Sequence, residues 1–173
     1  MAWLKTLPYE RKAWLILALT AFLLECCALY FQYGMGLEPC IMCIYQRTAV
    51  LGLLAAGLLG AVNPDNLGCR IVGFATWGIS SIWGFQIARE HIAMQNTDDP
   101  FAFTCDRFPN FPEFMPLHEW LPNFFAATGD CGNIDWMFVG LSMPGWMEIL
   151  FAFYSALFIA VLGFHLFNLK KAK

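Results

Sequence analysis

The stretch LEPCIMCIYQR, Leu37 to Arg47, sets two cysteines three residues apart behind a proline, with an arginine four residues beyond the second. Past it the chain turns oily: TAVLGLLAAGLLGAV, Thr48 to Val62, carries no charge. A Cys-x-x-Cys pair therefore stands at the entrance of an apolar helix. Reading that entrance as the edge of a membrane decides the fold, and the composition agrees. Hydrophobic residues make up 59% of the chain and charged residues 13%, against roughly 45–50% and about 25% in an average soluble domain. A chain of 173 residues has too little interior to hide that excess.

Four segments, at about 13–33, 44–62, 71–88 and 146–169, approach the ~20 mostly apolar residues that a bilayer crossing needs. Their only acidic or basic residues are Glu25, Arg47 and Glu148. The expected fold is an all-α membrane protein. It is a single domain, residues 1–173, folded as a four-transmembrane-helix bundle. A short loop at about 34–43 and a long loop at about 89–145, between helices 3 and 4, face one side. The first span reads as a retained anchor, because its apolar run is long and no Ala-x-Ala-like site follows it. A net charge of -3 with no basic patch argues against a nucleic-acid partner.

Basic residues orient the bundle. Lys5, Arg11 and Lys12 precede the first span, Arg70 separates the second and third, and Lys170, Lys171 and Lys173 follow the fourth. Four crossings bring all of them to one side, which predicts cytoplasmic termini and outward-facing loops. In the long loop, Asp98–Pro100, Phe108–Pro116 and Thr128–Asn133 carry turn signals. PLHEWLPNFFAA, Pro116 to Ala127, has helix-like apolar spacing. It suits either a short helix on the membrane surface or a small loop core.

That topology sorts the seven cysteines. Cys69 faces the reducing side, and Cys26 and Cys27 lie within the first span as small apolar residues. Cys40, Cys43, Cys105 and Cys131 face outward, which in a bacterium is the oxidising periplasm. Four cysteines allow three connectivities; proximity favours Cys40 with Cys43, leaving Cys105 with Cys131. As a staple Cys40–Cys43 closes almost no chain. As a redox pair at a helix start it gains from the positive helix end, which favours a thiolate. Arg47, one turn beyond Cys43, favours the same anion or snorkels to the interface. A structural zinc site is not expected, since no second close pair of ligands accompanies Cys40 and Cys43.

PCIMCIYQR, EHIAMQ, FTCDRF and TGDCG together resemble the DsbB family of bacterial inner-membrane disulfide bond formation proteins, and the likeness spans nearly the whole chain. The resemblance implies a quinone-dependent protein thiol oxidase. Its soluble partner would be a DsbA-like, thioredoxin-fold periplasmic oxidase. Its acceptor would be ubiquinone or menaquinone from the respiratory pool in the bilayer. Cys105 matches the cysteine that forms a mixed disulfide with that partner, and Cys131 matches its mate. Cys40 and Cys43 match the pair beside the quinone, with Cys43 nearer the ring. Arg47 matches the arginine at the quinone and His91 a histidine near the same site. The vicinal Cys26 and Cys27, and Cys69, are not part of the family's essential set.

The resemblance also implies a place in the DsbA–DsbB–quinone chain, the established route by which bacteria keep the periplasm oxidising. The energetics fit it. DsbA lies near about -120 mV and ordinary structural disulfides below about -300 mV, so oxidising DsbA with such a bond would be uphill by about 8 kcal/mol. The receiving pair must be drained by a stronger acceptor. Glu25, costing about 2.5–3.5 kcal/mol if charged at mid-membrane, serves either the acceptor site or helix packing. Two other readings remain open at this point. One is a membrane protein whose disulfides only brace its loops; the other is a related oxidoreductase with a different soluble partner.

Overall fold

The computed structural model describes residues 6–97 and 109–171, without the side chains of 168–171. Cys105, Arg107, Lys5, Lys173 and the segment Asp98–Pro100 lie outside the described residues.

A 3-10 turn, Leu7–Tyr9, leads into α1, Arg11–Leu29, which continues as a π-helical segment, Tyr30–Gly34. Helix α2 is Ile41–Val62 and α3 is Leu67–Gln95. Two single turns follow, α4 (Leu117–Trp120) and α5 (Pro122–Phe125), broken apart at Pro122. A two-residue hairpin, β1 (Met137–Phe138) and β2 (Leu141–Ser142), then opens α6, Met143–Lys171. The hairpin turns tightly through Val139 and Gly140, both at positive φ. It is the one local departure from an all-helical chain among the described residues.

Four helices are long and apolar enough to cross a membrane. All run beyond the apolar segments read from the sequence. Helix α2 begins at Ile41, so Cys43 belongs to a helix and not to the short loop. Helix α3 reaches Gln95, so His91 is helical and not part of the long loop. Helix α6 begins at Met143, two residues before the expected loop end. Apolarity stops at the first charged residue, but i to i−4 hydrogen bonding continues wherever the next turn finds partners.

The helices pack in the order α1, α2, α3, α6, with α2 against both α1 and α3 and α6 against α3. In α1, Trp14, Leu17, Ala18, Ala21 and Glu25 are buried at three- and four-residue spacing, which makes one helix face. The other faces expose Ile16, Leu19, Phe22 and Leu23, as suits contact with lipid. The core gathers Trp14, Leu53, Phe74, Trp77, Phe151 and Tyr154. Lipid chains are as apolar as leucine, so close backbone approach at small residues must hold such helices together. At Gly57 an added Cβ would sit 2.5 Å from the Ala18 nitrogen and 2.7 Å from the Trp14 carbonyl oxygen.

The two ends of the bundle differ. At one end Asn66 caps α3 by accepting from Gly68 N at 2.8 Å and Cys69 N at 3.3 Å. There Arg70 donates to the Pro64 and Asp65 carbonyls and lies over the Tyr9 ring. At the other end the loop following α3 folds down over the start of α2. In segment 116–127 Phe125 is buried, whereas Trp120 is 60% exposed.

Gly57→Val should force α1 away from α2 and cost about 1–3 kcal/mol, the usual penalty for overpacking. Unfolding of the purified variant in mixed micelles should show that loss, and unchanged stability would contradict the tight α1–α2 contact.

Candidate redox centre

The centre begins with how α2 starts. Pro39 cannot donate a backbone hydrogen bond, and Cys40 follows as N-cap with extended backbone, φ -79 and ψ 171. Its Sγ accepts from the Cys43 N–H at 3.3 Å, the task that serine or aspartate does at most helix starts. The cap thus joins the two cysteines through backbone as well as through sulfur. Their Sγ atoms are 2.8 Å apart and both cysteines are unbonded; a covalent S–S bond is about 2.03–2.05 Å. Cys40 is buried, and its thiol pKa is pushed up, first by the hydrogen bond to the Cys43 sulfur and then by burial.

Two polar side chains flank the pair. From α3, His91 brings Nε2 to 3.6 Å from Cys40 Sγ and Nδ1 to 3.2 Å from Gln46 Nε2. Arg47, one turn beyond Cys43 and 6% exposed, reaches across three elements. Its Nη1 donates to Gln32 Oε1 at 2.9 Å and to the Phe124 carbonyl at 2.6 Å. Its guanidinium lies 4.8 Å from the Phe124 ring centroid. Its Nε stands 3.9 Å from Glu25 Oε2. Both Glu25 carboxylate oxygens are buried without a hydrogen bond. The charge in the first span therefore faces the charge in the second.

The long loop completes the centre. The N–H groups of Thr128 and Gly129 both donate to the Pro39 carbonyl, at 3.0 and 3.1 Å. A Cβ on Gly129 would lie 2.4 Å from the Glu38 carbonyl oxygen, so only glycine lets the backbones approach this closely. Two residues on, Cys131 is buried in one cluster with Cys40, Ile41, Met42 and Ile87. Cys131 is disulfide-bonded, and its backbone is hydrogen-bonded by His91. Gln95 donates to the Asn133 carbonyl at 3.3 Å, and Tyr33 and Gln32 donate to the Asn123 carbonyl. Cys105, the remaining site residue named from the sequence, lies outside the described residues.

A cleft opens beside Cys43 and Arg47. Leu24, Ala28, Val50 and Met147 form apolar walls, and Glu25, Gln46 and His91 add polar groups. Glu38, Asp130 and Asp135 also line it. Cys40, Cys43 and Arg47 line one cleft, as their spacing suggests. Gln32, Gln46, Phe124 and Gly129 were not legible from spacing, since each acts through a partner at least 15 residues away or through a backbone contact.

Because Glu25 and Arg47 are buried together, their effects on stability should not add. Arg47→Met alone strands a carboxylate. The double variant with Glu25→Leu should be less damaged than the sum of the single changes by about 0.5–3 kcal/mol. Strict additivity in equilibrium unfolding would contradict the pairing.

The family model described as disulfide bond formation protein DsbB matches residues 10–161. A protein of Pseudoalteromonas translucida named disulfide bond formation protein B is 64% identical over 162 residues, which cover 93% of this chain and 94% of the relative. Its namesake in Pseudoalteromonas atlantica is 52% identical over 94% of this chain and 95% of the relative. Another in Shewanella loihica is 45% identical over 99% of this chain and the whole of the relative. With two sulfurs at a helix entrance, a third packed over them by the loop, and this similarity along nearly its full length, the chain belongs to the DsbB family of disulfide bond formation proteins.

Proposed function

We propose that this protein reoxidises a DsbA-like thioredoxin-fold oxidase and passes the electrons to membrane quinone. The observation that supports this best is the docking of residues 128–131 on Pro39, which buries Cys131 with Cys40 beside an apolar cleft. A thiol–disulfide relay needs such an arrangement, because exchange occurs by direct attack of one sulfur on another.

The relay balances in sulfur, electrons and protons. A thiolate of the soluble partner attacks Cys105 in the Cys105–Cys131 bond, and its second thiol resolves the mixed disulfide. The partner leaves oxidised and the loop pair is left as two thiols. These exchange with a Cys40–Cys43 disulfide, so the loop bond re-forms and Cys40 and Cys43 become the dithiol. Two electrons and two protons must then leave that dithiol. Ubiquinone or menaquinone, when bound, supplies a two-electron acceptor that is itself soluble in lipid.

The cleft suits such a group. Apolar walls match a ring and tail, and the orphaned Glu25 oxygens offer acceptors that no described residue hydrogen-bonds. Arg47 would hold negative charge near Cys43 within a low-dielectric site, where a fixed cation acts strongly. Cys40 would keep the proton that lets Cys43 react as the anion. His91 would fix the position of Cys40 relative to Cys131. The membrane setting would be the bacterial inner membrane with cytoplasmic termini. The end carrying Arg70 and Tyr9 would then face inward and the cysteine end the periplasm.

Two outcomes test the order. Cys40→Ser should let the loop disulfide accept electrons from reduced partner once and then stop; sustained quinone reduction would refute the relay. Arg47→Ala should raise the KM for quinone about tenfold or more. An unchanged KM would remove Arg47 from the acceptor site.

A further inference from the structure

The cysteine pair and His91 have a property that disulfide exchange does not use. Cys40 Sγ, Cys43 Sγ and a ring nitrogen of His91 all lie within 4.8 Å of one another. In a tetrahedral zinc site, bonds of about 2.3 Å to sulfur and about 2.0–2.1 Å to nitrogen set sulfur–nitrogen separations near 3.5 Å. The Cys40–His91 separation, 3.6 Å, already matches. Two sulfurs on one zinc stand about 3.8 Å apart, so the 2.8 Å pair must open by about 1 Å. A change of side-chain rotamer at Cys43, which lines the cleft, would have to supply this opening.

From this geometry we infer that Cys40, Cys43 and His91 of the reduced protein form a three-ligand site for a thiophilic divalent cation of the zinc class. Binding locks the pair as dithiolate and blocks its reoxidation. The donor set is Cys2His, which leaves the fourth tetrahedral position to water or to a group in the cleft.

Three further features favour a cation there. Glu38, Asp130 and Asp135 line the cleft and attract positive charge. Arg47, one turn beyond Cys43, is opposed by Glu25. Gln46 stands against the second ring nitrogen of His91 at 3.2 Å. Turning its amide over would present an oxygen to Nδ1–H, the usual outer support of a ligating histidine, and Nε2 would take the metal at the expense of the hydrogen bond that His91 makes to the Cys131 backbone. The step is coordination and not redox: two S–H protons pass to solvent as two sulfur–metal bonds form. It applies only to the dithiol, because a disulfide offers no thiolate. It requires neither the quinone nor the soluble partner, so it stands or falls separately from the proposed function.

The site predicts reversible inhibition by zinc that a chelator lifts. The test uses the full chain with Cys26, Cys27, Cys69, Cys105 and Cys131 replaced by alanine, reduced with a phosphine under anaerobic conditions. Cadmium, titrated as a spectroscopic stand-in, should give a saturable thiolate-to-metal absorption band at one equivalent, reversed by EDTA. His91→Ala and the milder His91→Gln should each weaken binding about tenfold or more, with folding followed by thermal unfolding. In the chain with all its cysteines, reduced beforehand, zinc should slow alkylation of Cys40 and Cys43. A missing band, or binding indifferent to both His91 changes, would overturn the inference.

Discussion

One backbone acceptor holds the centre together. The Pro39 carbonyl receives two N–H groups from the long loop, and the next residue, Cys40, caps α2 with its sulfur. The same few atoms therefore start a helix, seat a loop and align three cysteines. A side chain on Gly129 would collide with the Glu38 carbonyl, so the contact depends on there being none. Hydrogen bonds of this kind each contribute only about 0.5–1.5 kcal/mol. That suits a loop that, in the proposed relay, holds Cys131 near Cys40 and still lets its disulfide meet a soluble partner.

Burial of charge is the second constraint. Arg47 and Glu25 would each be expensive alone within a span. Facing one another, and with Arg47 hydrogen-bonded to Gln32 and the Phe124 carbonyl, they are tolerated. The guanidinium thereby links α1, α2 and the turn α5. A change at the cysteine pair is thus next to a group that touches both the helices and the loop. The π-helical segment that ends α1 contributes here, because it carries Gln32 and Tyr33 to the loop carbonyl of Asn123. Such wide turns recur at functional sites.

Much of this was legible in the order of residues alone. Long uncharged runs give four crossings whatever their packing, and the Cys-x-x-Cys spacing with Arg47 one turn later points to chemistry at a membrane edge. Helix ends were less legible. His91 looked like a loop residue because Arg89 and Glu90 interrupt the apolar run, yet α3 continues to Gln95 and turns His91 inward. Contacts between distant segments left no periodic trace at all. Nothing near Gly129 announces that it rests on Glu38, and nothing near Gln46 announces His91. The helix-like spacing of Pro116–Ala127 did not show that Pro122 divides the segment into two turns, whose apolar residues are partly buried and partly exposed.

In the proposed relay the loop sulfur passes electrons to the helix-entrance pair by direct exchange between Cys131 and Cys40, which are buried in one cluster. The sharpest measurement is disulfide mapping by mass spectrometry on a chain carrying Cys43→Ser and Cys105→Ser, purified under mild oxidation. A Cys40–Cys131 bond in most molecules is the expected result. Persistent free thiols at both positions in a folded protein would contradict the account.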